Sequence, residues 1–209
     1  MQIEIWSDIS CPFCYLGKRK LDLALEETGL SVSANKIWRS FQLNPGVVTN
    51  PGLSIYDYLV RERGFDPVQA KEINGHITRS GESIGITFRF NKVVVANTLR
   101  AHQLLHYAAG QGMQDLTGEL LFRANFTDGR NVDDNSVLEA VALEAGLEMS
   151  GLTDALAPGA YAGPIGKDID EAARLGVRGV PFFVFNRKFA ISGAQDISVF
   201  ISTLKEASA

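Results

Sequence analysis

Apolar and polar positions alternate at the start of the chain. Ile3 and Ile5 are apolar, Gln2 and Glu4 polar, and Trp6 follows, a period of two that predicts a short strand over residues 2–6. From Ser10 or Cys11 the period lengthens. Tyr15, Leu16, Leu21, Leu23 and Leu25 form an apolar stripe, Pro12 suits a first helical turn, and Gly29 marks the stop. Alternation returns in "KIWRSFQL", residues 36–43, and predicts a second strand. The chain therefore opens β-α-β. From about Ser54 to Ala157 the spacing is mostly helical. Asp66-Pro67 reads as an N-cap followed by proline at the first helical position, and Ser136 with Glu139 reads as a capping box. Helices are predicted over residues 97–109 and 113–125, with "ITFRF" (Ile86–Phe90) as a short extended exception. The last fifty residues return to mixed structure. A helix over 165–175 stops at Gly176, Phe182–Phe185 and Phe189–Ser192 form a hairpin about Asn186-Arg187, and a closing helix covers 195–206.

Without the helical middle, the order is β-α-β … α-β-β-α, the thioredoxin arrangement. The expected fold is α/β: a discontinuous thioredoxin-like domain of residues 1–50 and 160–209, interrupted by an inserted helical domain at 51–159. Composition agrees with a globular chain. Of 209 residues, 45% are hydrophobic and 21% charged, enough to bury a core without disulfide staples. A formal net charge of −4, with no basic run, points away from nucleic acid and anionic membranes. No stretch reaches the ~20 apolar residues of a membrane helix. Read as a natural start, Met1 leads straight into strand alternation without a leader pattern, so the expected compartment is the cytoplasm. A purely structural disulfide is uncommon there.

Both cysteines lie in "SDISCPFCYLGKR" (Ser7–Arg19). A Cys-x-x-Cys directly after a strand and opening a helix is a redox signature with a physical basis. Cys11 is expected at the helix N-terminus, where unpaired N–H groups and the macrodipole favour a thiolate. The same position should leave it exposed. Cys14, three residues on, shares its face and lies within disulfide reach. Cys11 is thus the expected nucleophile and Cys14 the resolving thiol. A zinc site is disfavoured: there is no third cysteine, and His102 and His106 lie far beyond the ~12–15 residues of a zinc-finger spacing. "GVRGVPFF" (Gly176–Phe183) is the second informative stretch. In the thioredoxin arrangement the loop before the third strand packs against the cysteine-bearing helix tip. Val180-Pro181 is therefore expected to be cis, with the Val180 backbone offering strand-like hydrogen bonds to a substrate.

These motifs, with "FQLNP" (Phe41–Pro45), "NTLRAHQLLHYA" (Asn97–Ala108), "ELLFRANF" (Glu119–Phe126) and the run to Gln195, resemble the DsbA-like branch of the thioredoxin superfamily, in particular the FrnE-like oxidoreductases. The resemblance covers essentially the whole chain. It implies dithiol–disulfide chemistry at Cys11 and Cys14 and a cis-proline at Pro181. A sister branch, the 2-hydroxychromene-2-carboxylate isomerases and kappa-class glutathione transferases, is similar but has Ser in place of Cys11. That branch also carries Gly-Ser-Asp where this chain has Gly193-Ala194-Gln195. The buried acid that thioredoxins carry six positions before the first cysteine is Ile5 here, and Asp8 reads as a helix-start cap.

The remaining candidates are weighed by position. Phe13, Phe182 and Phe183 are expected to form an apolar collar for substrate, although adjacent strand residues point opposite ways. Pro12 lies between the thiols. Asn97 is expected either to face the cleft or to cap a helix, Lys18 to sit on a solvated basic edge, and His102 and His106 to be packing or surface residues. The expected function is thiol–disulfide exchange on protein or low-molecular-weight disulfides, with no metal or organic cofactor and with glutathione as a possible co-substrate. Two alternatives remain open at this point: a glutathione-dependent isomerase or transferase acting on a small aromatic molecule, and a chaperone-like binding module.

Overall fold

The computed structural model describes residues 1–208. Four strands make one sheet, ordered β2-β1-β3-β4. β1 (Gln2–Ser7) and β2 (Asn35–Ser40) are parallel and joined by helix α1 (Pro12–Glu27). β3 (Phe182–Phe185) runs antiparallel beside β1, and β4 (Phe189–Ser192) pairs antiparallel with β3. Asn186 and Arg187 take φ of 48° and 58°, the left-handed pair that a two-residue hairpin of this twist requires.

Register sorts the strand residues by face. Ile5 lies opposite Phe183 and Ile3 opposite Phe185, so all four point one way. That side is covered by α1 and by α9 (Ile197–Ser208), whose Phe200 meets Phe183 edge-on at 5.0 Å. Trp6 and Phe182 point the other way, toward α8 (Ala162–Arg174), where the Trp6 indole donates to the Asp168 carbonyl at 2.9 Å. Glu4 is also on this side and fully buried. It is tolerated because Arg39, at 2.6 Å, and Arg187 pair with its carboxylate.

Six further helices lie between β2 and α8: α2 (Ile55–Arg63), α3 (Pro67–Glu82), α4 (Leu99–Ala109), α5 (Gln114–Arg123), α6 (Asn135–Glu144) and the short α7 (Leu152–Ala155). Asp66 caps α3 by accepting from the Val68 and Gln69 amides, with Pro67 in the first turn. The capping box expected at Ser136 does not form. Asp134 caps α6 instead, accepting from the Ser136 amide at 2.8 Å, which places Ser136 inside the first turn. Ile86–Phe90 joins no strand. Phe90 opens a single 3-10 turn (Phe90–Lys92), and Phe88 and Phe90 bury their rings, stacked at 5.3 Å, against Phe126.

The inserted helices share one apolar core with the sheet. Trp38 of β2 tilts against Phe122 of α5, and Tyr15 of α1 stacks on the same ring at 5.1 Å. A polar seam lies beside these rings. Lys18 is bonded to Asp22 at 2.8 Å and Glu119 at 2.6 Å, and the Tyr15 hydroxyl donates to Glu119 at 2.8 Å. The expected solvated edge at Lys18 is therefore a buried ion cluster. α5 covers this face of α1, which a reading of α1 alone cannot show.

Candidate active site

Cys11 is the N-cap of α1, with φ −95° and ψ 111°, and Pro12 opens the helix. The first turn of this 16-residue helix holds no acidic residue, and no side chain caps it. No acidic side chain within that turn offsets its positive end at the Cys11 position. Cys14 follows in the first turn, its amide bonded to the Cys11 carbonyl at 3.0 Å. Burial pushes the Cys14 thiol well up, and its hydrogen bond to Cys11 and charge on that sulfur add to the rise; contacts from Ser7 and the Asp8 backbone oppose it without reversing it. Cys14 therefore keeps its proton at neutral pH.

The Val180–Pro181 peptide is cis. The Cys11 thiol donates to the Val180 carbonyl at 3.5 Å, and the Gly193 amide donates to the Pro181 carbonyl at 2.8 Å. Gly17 lets this loop approach α1. A β-carbon there would lie 3.0 Å from both the Pro181 ring and the Phe183 ring. The glycine stands in plain view in the dithiol stretch, but only the packing shows why it is there.

Cys11 is 4% exposed, against the expected exposed position. Its sulfur lies against the Val180 carbonyl of the loop before β3. Cys11, Pro12 and Phe13 lie on the wall of an apolar cavity of about 230 Å³ whose other residues come mainly from α2, α3 and the segments around them. Phe13 is exposed and stands at this cavity. Phe182 and Phe183 do not complete the collar: Phe182 packs on Trp6 on the α8 side of the sheet, and Phe183 faces Phe200 in the core. Asn97 does not face Cys11 either. Its side chain accepts from the Leu99 amide at 2.9 Å and donates to the Pro45 and Val47 carbonyls, fixing the start of α4.

Asp8 departs most from its expected role. It is almost fully buried and accepts from the Leu43 amide at 2.8 Å and the Ser10 amide at 3.2 Å. His102, also buried, places Nε2 3.7 Å from Asp8 Oδ1. Burial pushes the Asp8 carboxyl up, but His102, the Leu43 amide and Thr98 together hold it below the ordinary value. His106, one turn on, is stacked on Tyr161 and shares a hydrogen bond with Ser40 beside Asp168. The two histidines thus serve different carboxylates. No sequence signal pairs Asp8 with a residue ninety positions away.

The sequence profile of the DSBA-like thioredoxin domain matches residues 2–205. The chain belongs to that family. A protein described as a probable DsbA oxidoreductase from Streptomyces coelicolor is 34% identical and superposes with a TM-score of 0.91 over all of this chain and 90% of its own. Uncharacterized protein YwbO of Bacillus subtilis is 25% identical over 162 residues, 77% of this chain and 74% of its own length. The fold is shared more distantly with the cytosolic disulfide reductase DsbM from Pseudomonas aeruginosa, at 19% identity and a TM-score of 0.67 over 99% of this chain and 98% of that one. The 2-hydroxychromene-2-carboxylate isomerase structure gives a TM-score of 0.73 at 16% identity, over 100% of this chain and 96% of that one. These neighbours match the DsbA-like superfamily read from the sequence. No helix among the described residues is long and apolar enough to cross a membrane.

Proposed function

We propose that this DSBA-like domain is a thiol–disulfide oxidoreductase with Cys11 as nucleophile and Cys14 as resolving thiol. The observation that carries the reading is the division of labour between the two sulfurs. Cys11 occupies an uncapped helix N-terminus, while Cys14 is held protonated beside it. The Cys11 thiolate attacks one sulfur of a substrate disulfide, forming a mixed disulfide and expelling the first substrate thiolate, which takes up a proton. Cys14 then loses its proton and attacks the Cys11 sulfur, closing the Cys11–Cys14 disulfide and releasing the second substrate thiol. One disulfide is reduced and one dithiol oxidised, so electrons balance without metal or organic cofactor. The reverse steps oxidise a substrate dithiol. Val180 and Pro181 hold the other side of the reacting sulfur, with the Val180 carbonyl engaging Cys11 in the resting state. Glutathione fits as co-substrate, a reading supported by the DsbM structure determined with GSH. The cytoplasm is the proposed compartment.

Trapping tests the assignment. Reduced Cys14→Ser protein mixed with a disulfide should accumulate an adduct on Cys11, located by peptide mass spectrometry, and Cys11→Ser should accumulate none. An adduct that maps to Cys14, or none in either variant, refutes it. A second reading, glutathione-dependent isomerisation of a small aromatic molecule, draws support from the isomerase-like fold and the apolar cavity at Cys11. It requires turnover that survives Cys14→Ser, which the exchange mechanism forbids.

A further inference from the structure

The cavity beside Cys11 carries more information than its position. α3 turns Ala70, Asn74, Ile77 and Gly81 inward, one stripe at helical spacing, and Asn74 is its single polar member. The Asn74 Nδ2 is buried without a hydrogen-bond partner. Asn125 is likewise buried on the same wall. Its Nδ2 donates to the Ile9 carbonyl at 3.2 Å, but its Oδ1 has no partner. Asn125 sits in the π-helical turn Ala124–Asp128, a local rewinding often found at functional sites. Buried polar atoms are normally paired, and leaving one unpaired costs about 1–3 kcal/mol. Here the two residues that carry an unpaired donor and an unpaired acceptor both belong to the wall of the same apolar cavity.

We infer that this cavity is the binding site for the apolar part of a low-molecular-weight disulfide or thiol, whose polar group pairs with Asn74 and Asn125. The inference rests on the exchange reading above and names its substrate class. A dry cavity of ~150 Å³ suffices for benzene, so about 230 Å³ accommodates one substituted ring or a branched aliphatic chain. The polar group is neutral or anionic, because Arg63 is the single charged side chain on the wall. A primary amide, which both donates and accepts, satisfies both asparagines, whereas a carboxylate accepts from Asn74 alone. α2 contributes Ile55 and Leu59 to the cavity but has no buried residue of its own, so an apolar occupant supplies contacts this helix lacks. The near-complete burial of Cys11 fits the same class: Cys11 lies on the wall of an apolar pocket, which a small molecule enters more readily than a folded protein surface.

Stopped-flow oxidation of the reduced protein by 4,4′-dithiodibenzoate, cystine and insulin tests the inference, each rate divided by that of N-acetylcysteine with the same disulfide. The aryl disulfide should lead by about tenfold or more, the scale of pocket discrimination. Ile73→Trp, which fills the cavity from a partly exposed position, and Asn74→Leu should each reduce that lead. A merely structural Asn74 loses stability on replacement, whereas removing an unpaired buried donor should hold or raise Tm. Separately, the Cys11→Ser/Cys14→Ser protein should bind benzamide, read by saturation-transfer NMR, with the signal lost in Asn74→Leu. Normalised rates within twofold of one another, or no benzamide binding to the double variant while the wild-type dithiol exchanges normally, overturn the inference. Benzamide binding together with a wild-type dithiol that oxidises no disulfide overturns the exchange reading and leaves the cavity a ligand site.

Discussion

His102 Nε2 faces Oδ1 of Asp8, three positions before the first cysteine, at 3.7 Å, with both residues 1% exposed. Neither imidazole nitrogen has a hydrogen-bond partner, so the Asp8 charge is their nearest compensation. The pair connects the strand that delivers the dithiol to the inserted helix α4.

Asp8→Asn should destabilise the protein by about 1–3 kcal/mol at pH 7, the cost of disturbing a buried, charge-assisted hydrogen-bond set. The carboxyl is held below its ordinary value of 3.8, so its contribution is present above that value and lost as pH falls through the folded one. Thermal unfolding of both proteins between pH 7 and pH 3 should show the gap closing toward acid. A gap independent of pH refutes the charged role of Asp8.

Cys14 gives the opposite pH signature. Its folded thiol lies well above the ordinary 9.0, so the unfolded chain loses this proton first as pH rises. Reduced wild-type protein should lose stability from about pH 9 upward, and Cys14→Ser should lack that component. At pH 7, brief iodoacetamide treatment should label Cys11 in preference to Cys14. Equal labelling removes the basis for assigning their roles.

Lys18→Met should cost about 2 kcal/mol, between the small value of exposed pairs and the larger one of buried pairs. It leaves Asp22 and Glu119 without their shared cation. Burial pushes the Lys18 ammonium down, but Asp22, Asp115 and Glu119 raise it above 10.5, so its stabilisation persists through neutral pH and fades only above that value. Urea unfolding at pH 7 measures the loss.

Gly17→Val should destabilise by roughly 1–3 kcal/mol through overpacking against Pro181 and Phe183. Because those rings support the loop opposite Cys11, the rate of mixed-disulfide formation should fall as well. A variant with normal stability and normal rate shows that α1 and the loop have room to separate.

The sequence by itself determined the local elements and the reactive pair. Alternation at Ile3 and Ile5, the stripe from Tyr15 to Leu25, the Asp66-Pro67 cap and the Asn186-Arg187 turn each act within a few residues, so their structures form where the pattern indicates. The same locality placed Cys11 at a helix start with Cys14 one turn in. Only the tertiary structure decided what surrounds them. Lys18 became buried because Glu119 lies across from it, Asp8 found His102, and Phe182 fell on the sheet face away from the thiols. The apolar cavity that α2 and α3 build beside Cys11, with Asn74 turned inward, belongs to the same class. Periodicity reports which face of an element is apolar. What that face meets depends on chain segments dozens of residues away, whose docking is set by the summed packing of the whole core.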